Sequence, residues 1–343
     1  MREIVIVISD LYLPRDLKQA EAGEALAAAL PGALPGIECV TRFGVSAPLE
    51  QGWRGWIARW LDLAAYADQP AASIVAAAQP GAAPERCWLA TPLRLIEGLT
   101  RVHVDWRCRL RLEPEERRWL AADFNEMYRG SGFALRVLAS GELLLDAPPL
   151  GPARTTEPAR LLQTLMADSL PGGAGAAALR RLGAEIEMWL HEHALNRERR
   201  RRGEQPVSTL WIWGGGEPPA VPGAAPAGSA SAVFGVDAYV RGLCALAGLA
   251  LQPAPDGPLT GEGAPRALWV LELAEALQRD ARASLAEALA DLDRRAVAPA
   301  LAALRRGEVD GLVLLANDRR WRLRPADRWR LWRGRRAALE ALA

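Results

Sequence analysis

Five consecutive β-branched residues, Ile4-Val5-Ile6-Val7-Ile8, run without a break into Ser9-Asp10. A strand with no polar face needs apolar cover on both sides, which is the situation of a parallel sheet held between helices. Asp10 then stands at the carboxyl end of that strand. Leu17, Ala20, Leu26 and Leu30 recur at helical spacing over 16–30 and stop at Pro31-Gly32, and Ile37 to Phe43 is read as a second strand. The chain so opens β-α-β. Trp53, Trp56, Ile57, Trp60, Leu61 and Leu63 then mark one face of a helix, and Cys87 to Ala90 a further strand.

From about Thr100 the texture changes. Val102, Val104, Trp106, Cys108, Leu110 and Leu112 alternate with His103, Asp105, Arg107, Arg109 and Arg111, the pattern of a half-exposed strand. Pro114 opens a helix running through Tyr128, Gly130-Ser131-Gly132 breaks it, and Phe133 to Leu138 with Glu142 to Leu145 form a hairpin about Ser140-Gly141. A helix over about 176–202 closes this α+β unit. The α/β texture returns at Leu210-Trp211-Ile212-Trp213, followed by a loop rich in Gly, Pro and Ala as far as Ser231. A helix over 236–246, a strand over 267–273, a long helix over 280–306 broken or capped near Pro299, and strands over 309–315 and 321–323 precede a basic helical tail. The expected fold class is α/β, a mainly parallel sheet with helices on both faces, plus an inserted α+β domain. The core would comprise 1–98 and 204–343, and the insertion 99–203.

With 343 residues, half of them hydrophobic, the chain can bury one large core or two modest ones. Its 42 basic and 41 acidic residues leave a net charge of +1, so a polyanion would have to be met by a local patch. Lys18 is the only lysine; the positive charge is otherwise arginine. Cys39, Cys87, Cys108 and Cys244 form no C-x-x-C pair, which argues against a zinc knuckle or a dense disulfide framework and favours a reducing compartment. The first apolar run is too short to span a membrane and no small-residue cleavage site follows it. A cytoplasmic protein without membrane contact is expected.

Asp10, Asp237, Glu272 and Asp280 fall near strand ends or helix starts, where α/β folds place ligands and where helix caps also occur. Gly214-Gly215-Gly216 after a strand could offer N–H groups to a phosphate, but neither G-x-G-x-x-G nor G-x-x-x-x-G-K-[ST] is present. The following Glu217-Pro218-Pro219 cannot continue a helix, so a glycine-rich turn accounts for it. His191 and His193 lack the H-E-x-x-H spacing and would point about 200° apart on a helix, so both cannot hold one ion. A helix-end histidine bonded to a neighbouring loop is the alternative. The run Asn196 to Gly203 suits a solvated helix C-terminus or a polyanion contact. Arginines from Arg319 to Arg336 interleave with Trp321, Trp329 and Trp332, which suits stacking on single-stranded nucleic acid or an edge strand over a core.

The stretch Glu185 to Asn196, then Arg199, Arg202-Gly203, Pro206 and Leu210 to Gly216, resembles the bacterial "regulator of pathogenicity factors E" type family, with its H-P-V-N-x-x-R element and W-L-W-G-G-G strand. The resemblance rests on His191, His193, Asn196, Arg199, Arg202, Gly203, Trp211, Trp213, Gly214, Gly215 and Gly216. Ala194-Leu195 stand where that family has Pro-Val, and Ser208 where it has asparagine. The same element resembles the seam between insertion and core in archaeal-type cofactor-independent phosphoglycerate mutases of the alkaline phosphatase superfamily. That likeness implies an alkaline-phosphatase-like core, two divalent metals held by Asp and His, and a serine that becomes phosphorylated.

Several of the implied residues have no counterpart. The only histidines are His103, His191 and His193, so none lies in the returning C-terminal half. Leu11-Tyr12 follow Asp10 where the superfamily has glycine and a hydrophobic residue, and no Asp-x-x-Ser-x-Gly segment follows. The expectation is a non-catalytic regulatory or interaction protein with no catalytic residue, metal or cofactor. Asp10, Asp237, Glu272 and Asp280 would be a vestigial metal or ligand site, and the partner a protein or a small anionic ligand. One rival is a metal-dependent phosphoester hydrolase or phosphomutase with a divergent site on those acids. The other is an Arg/Trp-rich nucleic-acid binder, against which the neutral net charge argues.

Overall fold

The Ile4–Ile8 run becomes the middle of a sheet, and none of its five side chains exceeds 2% exposure. The computed structural model describes residues 2–13, 32–78, 86–97, 102–105, 107–163, 166–216, 231–254, 265–279, 283–329 and 342. The chain divides into two units, Met1–Asp68 with Gly223–Ala343 and, between them, Gln69–Pro222. These boundaries differ from 98/99 and 203/204 because the strands over 87–93 and 209–213 pair with each other inside the second unit. The helix expected over 16–30, the loop over 217–230, Asp280 and the tail from Arg330 to Arg336 lie outside the described residues.

Numbered along the chain, the first unit holds β1 (Glu3–Ile8), β2 (Val45–Pro48), β9 (Ser231–Gly235), β10 (Leu251–Gln252), β11 (Arg266–Leu271), β12 (Gly311–Ala316) and β13 (Arg319–Leu323). They form one sheet in the order β10-β9-β11-β1-β12-β13-β2. Strands β10, β9, β11, β1 and β12 are parallel; β13 runs against both its neighbours. Every residue of β12, and all but the first of β1 and β11, is buried, so both faces of the central strands are covered. Asn317-Asp318, both at positive φ, make the tight two-residue turn from β12 to β13. From β9 the chain turns outward to β10, whereas from β11 it crosses β1 to reach β12. Neighbouring strands whose connections diverge leave a crevice at their carboxyl ends.

Residues 37–43, expected as a strand, are instead helical, in α1 (Pro35–Phe43). Their β-branched content favours a strand, but Pro35 sits in the first turn and Gly36, Ile37 and Val40 bury one helical stripe. The deciding contact comes from far along the chain. Helices α9 (Leu285–Leu292) and α10 (Ala298–Arg306) are joined by a π-helical turn, Asp293–Val297. Buried Asp293 accepts the backbone N–H groups of Gly36 (3.0 Å) and Ile37 (2.7 Å). A Cβ on Gly36 would lie 2.7 Å from both Ala298 N and Asp293 Oδ1, so only glycine permits this approach. The π-turn, with Pro299 just beyond it, is the break expected near that proline.

The second unit has a four-stranded antiparallel sheet, β6 (Ala134–Val137), β7 (Leu143–Asp146), β3 (Cys87–Leu93) and β8 (Thr209–Trp213), in that order. Helices α4 (Pro114–Met127) and α5 (Ala176–Glu192) pack with one face, where Trp88, Leu120, Phe124, Ile186, Leu210 and Ile212 join one core. The other face carries a smaller cluster of Leu93, Cys108, Leu161 and Trp211. Strand β8 thus has cover on both faces, which gives it the look of a strand in the parallel sheet while it belongs to the antiparallel one. The long strand expected over 102–112 is replaced by β5 (Val102–His103) and a single bridge between Leu93 and Arg109. Its apolar residues do not share one face: Cys108 joins the small cluster and Leu112 the larger core.

No helix among the described residues is long and apolar enough to cross a membrane. Replacing Asp293 by Ala strands two buried N–H groups and is expected to cost about 1–3 kcal/mol in urea unfolding, with Asp293→Asn, which keeps one acceptor, costing less.

Candidate functional site

Asp10 leaves the end of β1 and is 8% exposed. Its Oδ1 accepts the N–H of Leu273 at 2.6 Å and its Oδ2 that of Ala274 at 2.7 Å. These amides open the short helix α8 (Leu273–Arg279), which follows β11. The carboxylate therefore joins adjacent parallel strands through the first turn of a helix, where the peptide dipoles favour negative charge. Leu11, Tyr12 and Leu13 behind it are fully buried. Asp237 has a parallel role after β9: its Oδ1 accepts Val240 N–H at 3.0 Å and caps α7 (Ala238–Ala247).

Glu272, directly after β11, is half-buried and lies on the wall of a pocket of about 190 Å³ outside the carboxyl ends of β9 and β11. Glu275, Arg279 and Arg295 also line it, with Gly235 and Val236 at the end of β9. Glu275 and Arg279 pair at 3.0 Å, and Arg295 approaches Asp291 at 3.5 Å. The Nε of Arg295 is buried with no hydrogen-bond partner. Sequence reasoning missed Glu275, Arg279 and Arg295, since charged residues on helices read as solvated faces.

Among the described residues no group of three or more His, Cys, Asp or Glu side chains could hold a metal ion. Of the acids that would hold a pair of divalent ions, Asp10 directs both oxygens at backbone amides and Asp237 caps a different helix, so as placed these two do not fit that role. Cys39, Cys108 and Cys244 form no disulfide. Burial pushes the thiols of Cys87, Cys108 and Cys244 up to about 11, 12 and 12, so they are inert at neutral pH.

In the second unit the residues His193 to Trp213 form a polar bracket. His193 ends α5 and caps α6 (Ala194–Arg201), its Nδ1 accepting Leu195 N–H at 3.1 Å. That bond places the imidazole proton on Nε2, which faces Asp123 Oδ2 at 3.1 Å. The helix expected over 176–202 is thus two helices with a break at this residue. Asn196, 1% exposed, donates to the carbonyls of Leu190 and Val207 and accepts Val207 N–H, all within 2.8 Å. Arg199 donates to Gln205 O at 2.7 Å and to Glu116 Oε2 at 2.6 Å, and Arg202 also bonds Glu116. Burial alone would raise the Glu116 carboxyl; the Glu113 amide and the two guanidiniums outweigh it and hold the group below its ordinary range. Gly203, at positive φ, turns the chain after α6. His191 is exposed.

Trp211 Nε1 donates to Thr156 O (2.7 Å) and Trp213 Nε1 to Thr91 Oγ1 (2.8 Å). The glycines after β8 serve packing. Gly214 N–H is taken by Thr155 Oγ1 at 3.0 Å, and a Cβ on Gly215 would lie 2.2 Å from the Trp88 ring. Gly216 follows at the limit of the described segment. Of the tail, Trp321 is buried and Arg322 bonds Glu3 at 2.9 Å, so neither is presented for stacking on a base.

No family model matches the chain, and no curated protein matches it. It is similar to a cofactor-independent phosphoglycerate mutase from Thermoplasma acidophilum DSM 1728, at 16% identity and a TM-score of 0.37, covering 95% of this chain and 90% of that one. It is also similar to the PH0037 protein from Pyrococcus horikoshii, at 13% identity and a TM-score of 0.41, covering 91% and 81%. Neither likeness is close enough to carry over a residue or an activity.

Burial lowers the His193 pKa below its ordinary 6.5, against the pull of Asp123. A depressed folded-state value means stability that is complete above the unfolded value and is lost as pH falls through the folded one. Asparagine keeps a capping acceptor but cannot titrate. Urea unfolding from pH 8 to pH 5 should therefore show the wild type losing stability relative to His193→Asn below about pH 6.5. Asn196→Ala should cost about 2–3 kcal/mol at every pH, because it strands buried backbone groups.

Proposed function

We propose that this chain is a non-catalytic regulatory or binding protein built on an α/β scaffold of the phosphoglycerate-mutase kind, its carboxyl edge serving recognition in place of two-metal chemistry. The observation that carries this reading is the pair of bonds from Asp10 to Leu273 and Ala274 N–H. Two-metal phosphoryl transfer needs carboxylates and imidazoles converging on ions that activate a nucleophile and clamp the leaving oxygen. Here the aspartate after the first strand is spent on a helix terminus. The finer assignment, to the regulator of pathogenicity factors E type, rests on His193, Asn196, Arg199 and Arg202, whose bonds make them a structural bracket. Four dispersed cysteines with no C-x-x-C pair suit a reducing, cytoplasmic setting. The partner is a protein or a small ligand carrying negative charge.

The test combines metal analysis of the purified protein with phosphomonoesterase and mutase assays over Mg²⁺, Mn²⁺, Zn²⁺ and Co²⁺. Substoichiometric metal and no turnover are expected, and Asp10→Ala should lower unfolding stability by about 1–3 kcal/mol. Metal-dependent turnover that Asp10→Asn abolishes while the protein stays folded would contradict the reading and favour the phosphoester enzyme.

A further inference from the structure

We propose that the crevice outside β9 and β11 binds a small zwitterion of the amino-acid type, its carboxylate held by Arg295 and its ammonium by Glu272. This rests on the reading of the carboxyl edge as a recognition surface.

Topology supplies the first argument. In the order β10-β9-β11-β1-β12, the connections from β9 and β11 leave in opposite directions, and their carboxyl ends are where an open α/β sheet leaves room for a ligand. The pocket lies at that point. At about 190 Å³ it is smaller than the roughly 300–1,000 Å³ typical of drug-sized ligands, so a compact molecule fits it.

Charge supplies the second. Two guanidiniums and two carboxylates line the pocket. Glu275 and Arg279, one helical turn apart, pair with each other at 3.0 Å. Arg295 reaches Asp291 only at 3.5 Å and keeps a buried Nε donor without an acceptor. Arg295 lines the pocket, and the planar fork of a guanidinium can meet both oxygens of a carboxylate. A simple anion placed there would also face Glu272 and Glu275, and a simple cation would face both arginines. A molecule carrying both signs meets each wall with its complement. Glu272 can accept an ammonium alongside its existing contact, because an ionised carboxylate offers about four acceptor positions. Val236, exposed at the rim, and Leu292 give apolar surface for a side chain.

The experiment uses the full chain, screened by thermal unfolding against each free L-amino acid at millimolar concentration and followed by calorimetric titration. Acetate, inorganic phosphate and methylamine are the single-charge comparisons. At least one amino acid should raise the unfolding midpoint saturably, while the three single-charge probes should not. Arg295→Gln and Glu272→Gln should each weaken that binding by about tenfold or more, each variant being read against its own ligand-free midpoint. Should Arg295→Gln fail to fold, the near-isosteric Glu272→Gln still decides. No saturable shift with any amino acid overturns the proposal, as does binding that survives both substitutions. Phosphate binding lost in Arg295→Gln but kept in Glu272→Gln also overturns it, in favour of a plain anion site. Metal-dependent phosphoester turnover would instead defeat the non-catalytic reading and leave the amino-acid result legible by itself.

Discussion

A buried aspartate whose oxygens accept the first amides of a helix fixes how the elements of the larger unit meet. Asp10, Asp237 and Asp293 each do this, for three different helices. A helix N-terminus presents unsatisfied N–H groups and the positive end of its dipole, so an ionised carboxylate answers both needs at once. The opposing cost is desolvation. At Asp293 burial outweighs the two amide bonds and pushes the carboxyl above its ordinary range. The bonds still set geometry: they tie α1 to the π-turn, and β1 to the helix that follows β11.

The second unit is joined by a different device with the same logic. Glu116, on α4, is held by Arg199 and Arg202 near the end of α6, while Asn196 ties the carbonyl of Leu190 to the backbone of Val207. Buried charges persist where partners and hydrogen bonds compensate them, and removing one partner leaves the other stranded. The residues with the most recognisable spacing in the chain therefore hold α5, α6 and the approach to β8 together. Their regular spacing reflects assembly of this bracket.

Elements whose cause is local were legible in the sequence. β1, the helix after Pro114, the hairpin about Ser140-Gly141 and β12 each carry their own pattern and punctuation. Misreadings arose where the cause is distant. Ile37 to Phe43 looks like a strand until Asp293, 256 residues away from Ile37, supplies the cap. Leu210 to Trp213 looks like a buried parallel strand because both its faces are covered, by a helical layer and by the small cluster around Leu161. Asp10 was visible as the acid after the first strand, but the amides it bonds lie 263 and 264 residues on. The pocket was not visible, since Glu275, Arg279 and Arg295 acquire a common neighbourhood only through the crossover from β11.

At the carboxyl edge so described, a pocket lies outside β9 and β11 while Asp10, after β1, answers the first amides of a helix. The most direct measurement is an anomalous-scattering map from crystals of the protein soaked in Mn²⁺. The account predicts no ion at Asp10, with both its oxygens still bonded to Leu273 and Ala274 N–H. A pair of ions about 3.5–4 Å apart beside Asp10, with those amide bonds broken, would contradict it.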